Sequence, residues 1–401
     1  MRITRGRALV PILLAGGLLA AACGSSSSSS TTTTSGSSSG GATVSVTTFN
    51  KNFSTMSDLK SVTAAGTGKV AVILPDTVSS ARYTEFDAPY LTQAFATAGL
   101  STTDTIIQNA QGSDSTQLTD AQSDISSGAT VLVVDPLDAG VGTSIESYAT
   151  AHGVPVVDYD RLVLGGSRKY YVSFDNVKVG TLIGNGMVSC LSSWNVAKPT
   201  LAVMVGSPTD NNATLFAQGY NAVLKPHVTA GSYSVVANPA GTWDPPTALT
   251  EFQQAYTAHP TMNAVLVPND ENAAPIISYL KTLNIPAKKF PVTGQDATLI
   301  GVQNVISGYQ CGTAYKPIYL EAQAAAALAL YLRAGKTPPA GLVNGTVKDT
   351  TANVNVPSSL LVPEWVTPTN VESTVVADGF IPASQLCTGA YAADCTTYGI
   401  H

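Results

Sequence analysis

The sequence predicts an α/β protein of two similar lobes, each a parallel sheet flanked by helices. Three observations predict it. Short continuous apolar runs such as Val131-Leu132-Val133-Val134 suit strands buried on both faces. Segments of helical length lie between or after them, giving repeated βα units. The units fall into two successive sets within the roughly 330 residues from Lys69 onward, a length that suits two domains.

The N-terminus comes first. Arg2, Arg5 and Arg7 form a basic segment before an apolar run, Ala8 to Ala22, relieved only by Pro11, Gly16 and Gly17. A membrane-crossing helix needs about 20 apolar residues, so residues 1–22 read as a secretory signal. The run ends Leu19-Ala20-Ala21-Ala22-Cys23-Gly24. That resembles a bacterial lipobox and implies lipid on Cys23, although the leucine stands four places before the cysteine instead of the usual three. Stable anchoring takes more than one acyl chain. Residues 23–66 read as a tether. The Ser, Thr and Gly tract up to Thr43 has almost nothing apolar to bury and cannot offset the entropy of ordering. Residues 44–66 are polar and mixed, and are assigned to the same stalk.

Composition narrows the function. Only 11% of the chain is charged and 44% is hydrophobic, which allows a large core. The formal charge is −6, and loss of the three signal arginines takes it to −9. An acidic chain with no basic run is a poor nucleic-acid binder. Besides Cys23 there are Cys190, Cys311, Cys387 and Cys395, an even number that suggests disulfides in an exported protein. Cys387 and Cys395 are close in sequence and are paired; Cys190 and Cys311 are then left for each other, though four cysteines allow three connectivities. His152, His227, His259 and His401 are scattered with no metal-ligand spacing.

Strands are expected at Val70–Leu74, Thr105–Gln108, Thr130–Val134, Val154–Asp158 and Tyr170–Phe174, then at Leu201–Val205, Ser234–Ala237, Ala264–Val267 and Val292–Gly294. Helices are expected at Gln117–Ser127, Val179–Leu191, Thr214–Leu224 and Ile318–Ala334. Ligands of such sheets bind at the carboxyl ends of the strands. Two facing lobes would place a site in the cleft between them. Polar clusters follow those strands: Asp158-Tyr159-Asp160-Arg161, Ser173-Phe174-Asp175-Asn176, Gly206 to Asn212, Pro268-Asn269-Asp270 and Gly294-Gln295-Asp296, with Tyr315-Lys316-Pro317 before the Ala-rich helix. Carboxylates and amides grip neighbouring hydroxyls, and Arg and Lys donate to oxygens. Trp243 and Tyr83 offer ring faces for the C–H side of a sugar. The plainer role of an Asp or Asn after a strand is a helix N-cap.

Tyr159-Asp160-Arg161, Val172 to Asn176 with Lys178-Val179-Gly180, and Gly206 to Phe216 (GSPTDNNATLF) resemble the D-xylose-binding protein family. So do Val223 to Pro226, Thr293 to Ala297, Tyr315 to Ile318 and Val356-Pro357-Ser358. The resemblance covers about residues 68–382. It implies the two-lobed type I periplasmic-binding fold, with a hinge of about three crossings. The expected division is an N-terminal lobe over 67–176, a C-terminal lobe over 177–314, a return to the first lobe over 315–345, and completion of the second lobe plus a tail over 346–401. It also implies sugar contacts from Arg82, Tyr83 (commonly Trp in the family), Asp160, Arg161, Asp210, Asn212, Trp243, Asn269, Asp296 and Lys316. Asp175 and Asn176 are read as structural, capping a helix near a crossing.

The function so implied is binding without chemistry. The chain would be an exported, lipid-anchored receptor, at the outer face of the cell membrane or in the periplasm. It would capture D-xylose or a related monosaccharide and hand it to an ABC permease. A monomer without cofactor or metal is expected. A sensory receptor of the same fold, presenting sugar to a chemoreceptor or kinase, is the alternative. The enzyme readings are weak. Gly36-Ser37-Ser38-Ser39-Gly40 matches G-x-S-x-G by composition alone. Gly335-Lys336-Thr337 resembles the end of a P-loop, but Leu330 stands where the first glycine is required. Asp160 and Asp296 pose as a glycosidase pair yet coincide with binding positions. A transcription regulator would carry a DNA-binding helix pair where this chain carries an export signal.

Overall fold

The computed structural model describes residues 44–401. The signal run, Cys23 and the tether as far as residue 43 lie outside the described residues. Strands are β1 (Lys69–Leu74), β2 (Thr105–Asn109), β3 (Ala129–Val134), β4 (Val156–Tyr159), β5 (Tyr170–Phe174), β6 (Thr200–Val203), β7 (Ser234–Ala237), β8 (Ala264–Leu266), β9 (Gly294–Gln295), β10 (Thr313–Tyr315), β11 (Gly345–Asp349), β12 (Val354–Leu361) and β13 (Glu364–Val366). Helices are α1 (Lys60–Ala65), α2 (Ala88–Thr97), α3 (Asp114–Ser126), α4 (Ala139–Ala151), α5 (Asn176–Ser193), α6 (Asn211–Thr229), α7 (Pro245–Ala258), α8 (Asp270–Thr282), α9 (Leu299–Ile306), α10 (Ile318–Arg333), α11 (Ala383–Leu386) and α12 (Ala392–Tyr398).

The first lobe is a seven-stranded sheet in the order β11-β12-β5-β4-β3-β1-β2. Every neighbouring pair in it is parallel except the hairpin β11–β12. In the second lobe β7-β6-β8 and β13-β10-β9 form two three-stranded ladders. A parallel bridge between Val265 and Val292 joins them. The central strands β1 and β3 are apolar and almost wholly buried because helices cover both faces. The Ala-rich α10 lies against the first sheet; its run Ala324 to Ala329 is inaccessible, and small side chains let the helix sit close. Helices α5 and α6 cross closely for a similar reason. A Cβ on Gly180 would come within 2.0 Å of the Phe216 carbonyl oxygen, and one on Gly219 within 2.2 Å of the Val177 oxygen.

The chain crosses between lobes after β5 at Asp175, after β10 at Lys316-Pro317, and after β12 at Val362-Pro363. The third crossing corrects the expected division at residue 345. β11 and β12 pair with β5 and belong to the first lobe; only from β13 onward does the chain complete the second. Pro357 and the serines of β12 disguised a strand that occupies the outer part of a sheet. The tail packs Val371, Val375, Phe380, Leu386 and Ile400 into the second lobe's core.

The tether assignment of residues 44–66 is also corrected. Val44, Phe49, Phe53, Met56, Leu59 and Val62 are buried in the first lobe's core, with Ser54–Leu59 forming a 3-10 turn ahead of α1. Phe53, Met56, Leu59 and Val62 recur every third residue, the period of the 3-10 turn and the start of α1, and turn one apolar face to the lobe. Disulfides join Cys190 to Cys311 and Cys387 to Cys395.

Candidate functional site

The loops after β1, β4, β6, β7, β8, β9 and β10 converge where the lobes face each other. Among their side chains, all ten residues expected from the sequence line one cavity. From the first lobe come Arg82, Tyr83, Asp160 and Arg161. From the second come Asp210, Asn212, Trp243, Asn269 and Asp296, and from the second crossing Lys316. Four more line it: Ser79, Ser80, Phe216 and Gln295. Gln295 and Phe216 stand within motifs already singled out, whereas nothing in the residue types marks the serines.

The first lobe contributes an ionic frame. Arg82 is 3% exposed. Its Nε and Nη2 each donate to Asp87 at 2.8 Å, and Nη2 also meets Glu321 at 2.5 Å. Only Nη1 faces the cavity; it stands 3.2 Å from Asp160 Oδ1 without a hydrogen bond. Arg161 donates to the carbonyls of Pro136 and Leu137, to Ser79 Oγ at 3.3 Å and to the Tyr83 hydroxyl at 3.0 Å. Its Nε lies 3.7 Å from both Asp135 and Asp210. Burial works to raise the Asp160 carboxyl, but Arg82, Lys316 and Arg161 outweigh it and hold the group below its ordinary value. Asp160 is therefore an anion at neutral pH, an acceptor for hydroxyl donors.

The role expected of Tyr83 changes. Its hydroxyl donates to Asp160 Oδ2 at 3.3 Å, and the Arg82 and Arg161 guanidinium carbons lie 5.6 and 5.7 Å from its ring centre. The ring is held by cations, and its hydroxyl, which Trp would lack, knits Asp160 to Arg161.

The second lobe contributes helix N-termini. Asp210 caps α6 by accepting from Asn212 N at 2.8 Å, and Asn269 caps α8 by accepting from Asn272 N at 3.3 Å. The plain capping role and the lining role thus belong to the same residues. Trp243 donates from Nε1 to Asp210 Oδ2 at 2.9 Å and lies across Gly206, where a Cβ would come within 2.1 Å of its ring. Phe216 meets it edge-on, with ring centres 6.5 Å apart. Lys316 pairs with Asp296 Oδ1 at 2.9 Å. Burial lowers the lysine, yet Asp296 and Asp160 raise it further, so it stays charged. Asp160 and Asp296 both sit on left-handed backbone, at φ 56° and 87°, a conformation costly for a non-glycine residue and concentrated at functional sites.

Several hydrogen bonds cross between the lobes. Glu271 Oε1 accepts from Ser80 Oγ at 3.0 Å and from Ala81 N at 3.1 Å. Asn269 Nδ2 donates to the Ser79 carbonyl at 3.3 Å, and Ser80 Oγ approaches Asp296 Oδ2 at 3.3 Å. Asn212 donates to the Asp160 carbonyl at 2.8 Å while its Oδ1 accepts from Tyr171 and Asn176. Both ends of Asn212 are engaged within the protein, so it acts as a bridge more than as a free contact. Asn176, read as structural, is a buried member of this bridge, and Asp175 caps α5 by accepting from Lys178 N. Reading residue types at strand ends missed Glu271 and Glu321, whose partners Ser80 and Arg82 are distant in sequence, and Asp87 and Asp135, which act behind the lining through Arg82 and Arg161.

Comparison with known proteins follows the same lines. Residues 70–337 match the model of the periplasmic binding protein domain. The chain is 36% identical over 283 residues to the D-xylose-binding periplasmic protein of Escherichia coli, covering 70% of this chain and 82% of that one. It is 33% identical over 342 residues to the multiple sugar-binding periplasmic receptor ChvE of Rhizobium radiobacter, covering 80% and 93%. Among solved structures it is similar to an ABC transporter solute binding protein from Clostridium phytofermentans with bound β-D-glucose. That match has a TM-score of 0.71 at 27% identity, covering 79% of this chain and 99% of the other.

Proposed function

The chain belongs to the periplasmic binding protein domain family, in the group of the D-xylose-binding periplasmic proteins, and from that premise we propose that it captures D-xylose or a close relative for an ABC importer. The observation that carries the proposal is the convergence of ten expected residues from both lobes on one polar cavity, the setting in which a few placed polar groups fix a small ligand's orientation. The lining favours a neutral polyol. Asp160, Asp210 and Asp296 line the cavity beside Arg82, Arg161 and Lys316, so carboxylates and cations are matched and no cation is left over for a sugar acid. Hydroxyls find both donors and anionic acceptors there.

The residues divide the work. Asp160 accepts from hydroxyls, and Arg82 Nη1 and Lys316 donate to oxygens. Trp243 and Phe216 supply apolar faces. A ligand touching both lobes stabilises the arrangement in which they meet, because half of its contacts exist only then; periplasmic binding proteins are a standing example of such hinge closure. The joined form then docks on a membrane permease. We further propose that lipid on Cys23 holds the receptor at the outer face of the membrane; labelled-palmitate incorporation that vanishes in Cys23→Ala tests this.

The central experiment is calorimetric titration of the protein with D-xylose, D-glucose, D-ribose, L-arabinose and myo-inositol. Micromolar or tighter binding of xylose alone is expected. Tight binding of another of these sugars instead keeps the receptor reading and reassigns its ligand. Absence of binding to all five overturns it.

A further inference from the structure

Asp270 opens α8 between two residues of the cleft: Asn269, which lines it, and Glu271, which accepts from Ser80 across it. Asp270 itself is wholly buried and does not line the cavity.

Four donors converge on its carboxylate. Oδ1 accepts from Gln310 Nε2 at 2.7 Å. Oδ2 accepts from Thr298 N at 3.0 Å, from Thr298 Oγ1 at 3.4 Å and from Thr313 Oγ1 at 3.0 Å. Each of the two hydroxyl oxygens also accepts a backbone N–H and turns its own proton to Asp270. Thr298 accepts from Gly301 at 3.1 Å where it caps α9, and Thr313, on β10, accepts from Ala297 at 3.1 Å. Burial pushes the carboxyl up to about 7 against the pull of these donors; donors on both sides fit its ionised form. Two glycines make the room. A Cβ on Gly294 would come within 2.0 Å of Asp270 Oδ1, and one on Gly301 within 2.0 Å of Oδ2. Neither stands on left-handed backbone, so space calls for glycine there.

These bonds surround the turn that carries Asp296. Asp296 and Ala297 stand in succession on left-handed backbone, at φ 87° and 49°. Such residues persist only where their surroundings over-determine them. Ala297 N is tied to Thr313, the next residue, Thr298, is tied to Asp270 twice, and Thr313 is tied to Asp270 as well. We propose that Asp270 is the positioning residue of the second lobe's wall. Through Thr298 and Thr313 it keeps the Asp296 turn in place, and from the start of α8 it fixes Asn269 and Glu271 relative to that turn. It acts through those three residues and touches no ligand. The inference rests on the cleft being the sugar site.

Asp270→Asn keeps the side chain's size. One side of an amide is a donor, and both sides of Asp270 face donors, so the variant opposes donor to donor whichever way it turns. By calorimetry with D-xylose, or whichever of the five sugars the parent binds, Asp270→Asn is expected to bind at least about tenfold more weakly. In Asp296→Gly, which has no side chain to place and no strain to hold, the same substitution should cost about threefold or less. A merely structural role would lower melting and cost the same affinity in both backgrounds; that result, or parental affinity in Asp270→Asn, overturns the proposal. Should Asp270→Asn not fold, Thr313→Val breaks the same link, and Thr313→Ser, which keeps the hydroxyl, should bind as the parent does; equal weakening in the two refutes the proposal. A parent that binds none of the five sugars sinks the sugar reading alone, and the crystal structure of the sugar-free variant then decides. Asp296 and Ala297 are expected to leave left-handed φ in it, and an unchanged turn removes Asp270 from the role.

Discussion

The two walls of the cleft are built differently. The first lobe's wall is a web of buried charges: Arg82 ties Asp87 from the π-helical turn Tyr83–Asp87 to Glu321 from α10, and Tyr159 donates to the same Asp87. The second lobe's wall is a row of helix caps, Asp210 and Asn269, whose remaining polar atoms reach across to the other lobe. The first wall's ion pairs close within their own lobe; the second wall's Asn269 and Glu271 reach partners across the cleft. The comparison teaches that fold stability and closure are assigned to different residues, although all of them line the same space.

Arg82→Met tests that division most severely. It strands Asp87 and Glu321 in the interior, and loss of one partner from a buried ion network costs about 3–5 kcal/mol. Urea unfolding should show that loss; a variant within about 1 kcal/mol of the parent would mean that the web does not support the lobe. Asp160→Ala comes next. It should weaken sugar binding about a hundredfold or more, worth about 2.7 kcal/mol, while circular dichroism stays unchanged. Calorimetry that returns parental affinity would remove Asp160 from the site.

Smaller effects sharpen the contrast. Burial, together with Asp296 and Asp270, pushes the Glu271 carboxyl up to about 8 where the lobes meet. Lobe separation returns it to water, where a glutamate titrates near 4.3. The joined form therefore holds a proton that the separated form releases. Affinity should fall as pH rises between those limits, by at most about tenfold per pH unit, and Glu271→Gln should flatten the profile. Asp160 titrates below this window and does not reverse the sign. Glu321, pushed up to about 8 by burial against the pull of Arg82, lies within the first lobe. Its folded value is raised, so its contribution is present at low pH and lost as pH rises through about 8; it should move stability and leave affinity alone. Ser80→Ala removes the smallest piece, one hydroxyl donated across the cleft, and should cost about 0.5–1.5 kcal/mol of affinity with no change in melting.

Much of this was legible in the sequence. The βα alternation is a period signal that survives without tertiary context, and strand-end residues such as Asp160, Asp210 and Asp296 are polar where a strand stops. What stayed hidden depends on contacts distant in sequence. Phe49, Phe53 and Met56 stand among polar residues shortly after a Ser/Thr/Gly tract and become core because the first lobe offers them a surface. β12 resembles a loop because of Pro357 and its serines, and its strand nature comes from pairing with β5. Glu271 follows a cap and has no distinguishing neighbour in sequence; it meets Ser80 across 191 positions. Residue type alone does not tell that the Tyr83 hydroxyl joins Asp160 to Arg161.

The Cys190–Cys311 bond has a topological consequence. It spans 121 positions and closes most of the second lobe, from the end of α5 to the start of β10, into a covalent ring. A single proteolytic nick anywhere on that ring leaves both cut ends attached to the same molecule. One scission there is a wound that the chain survives in one piece.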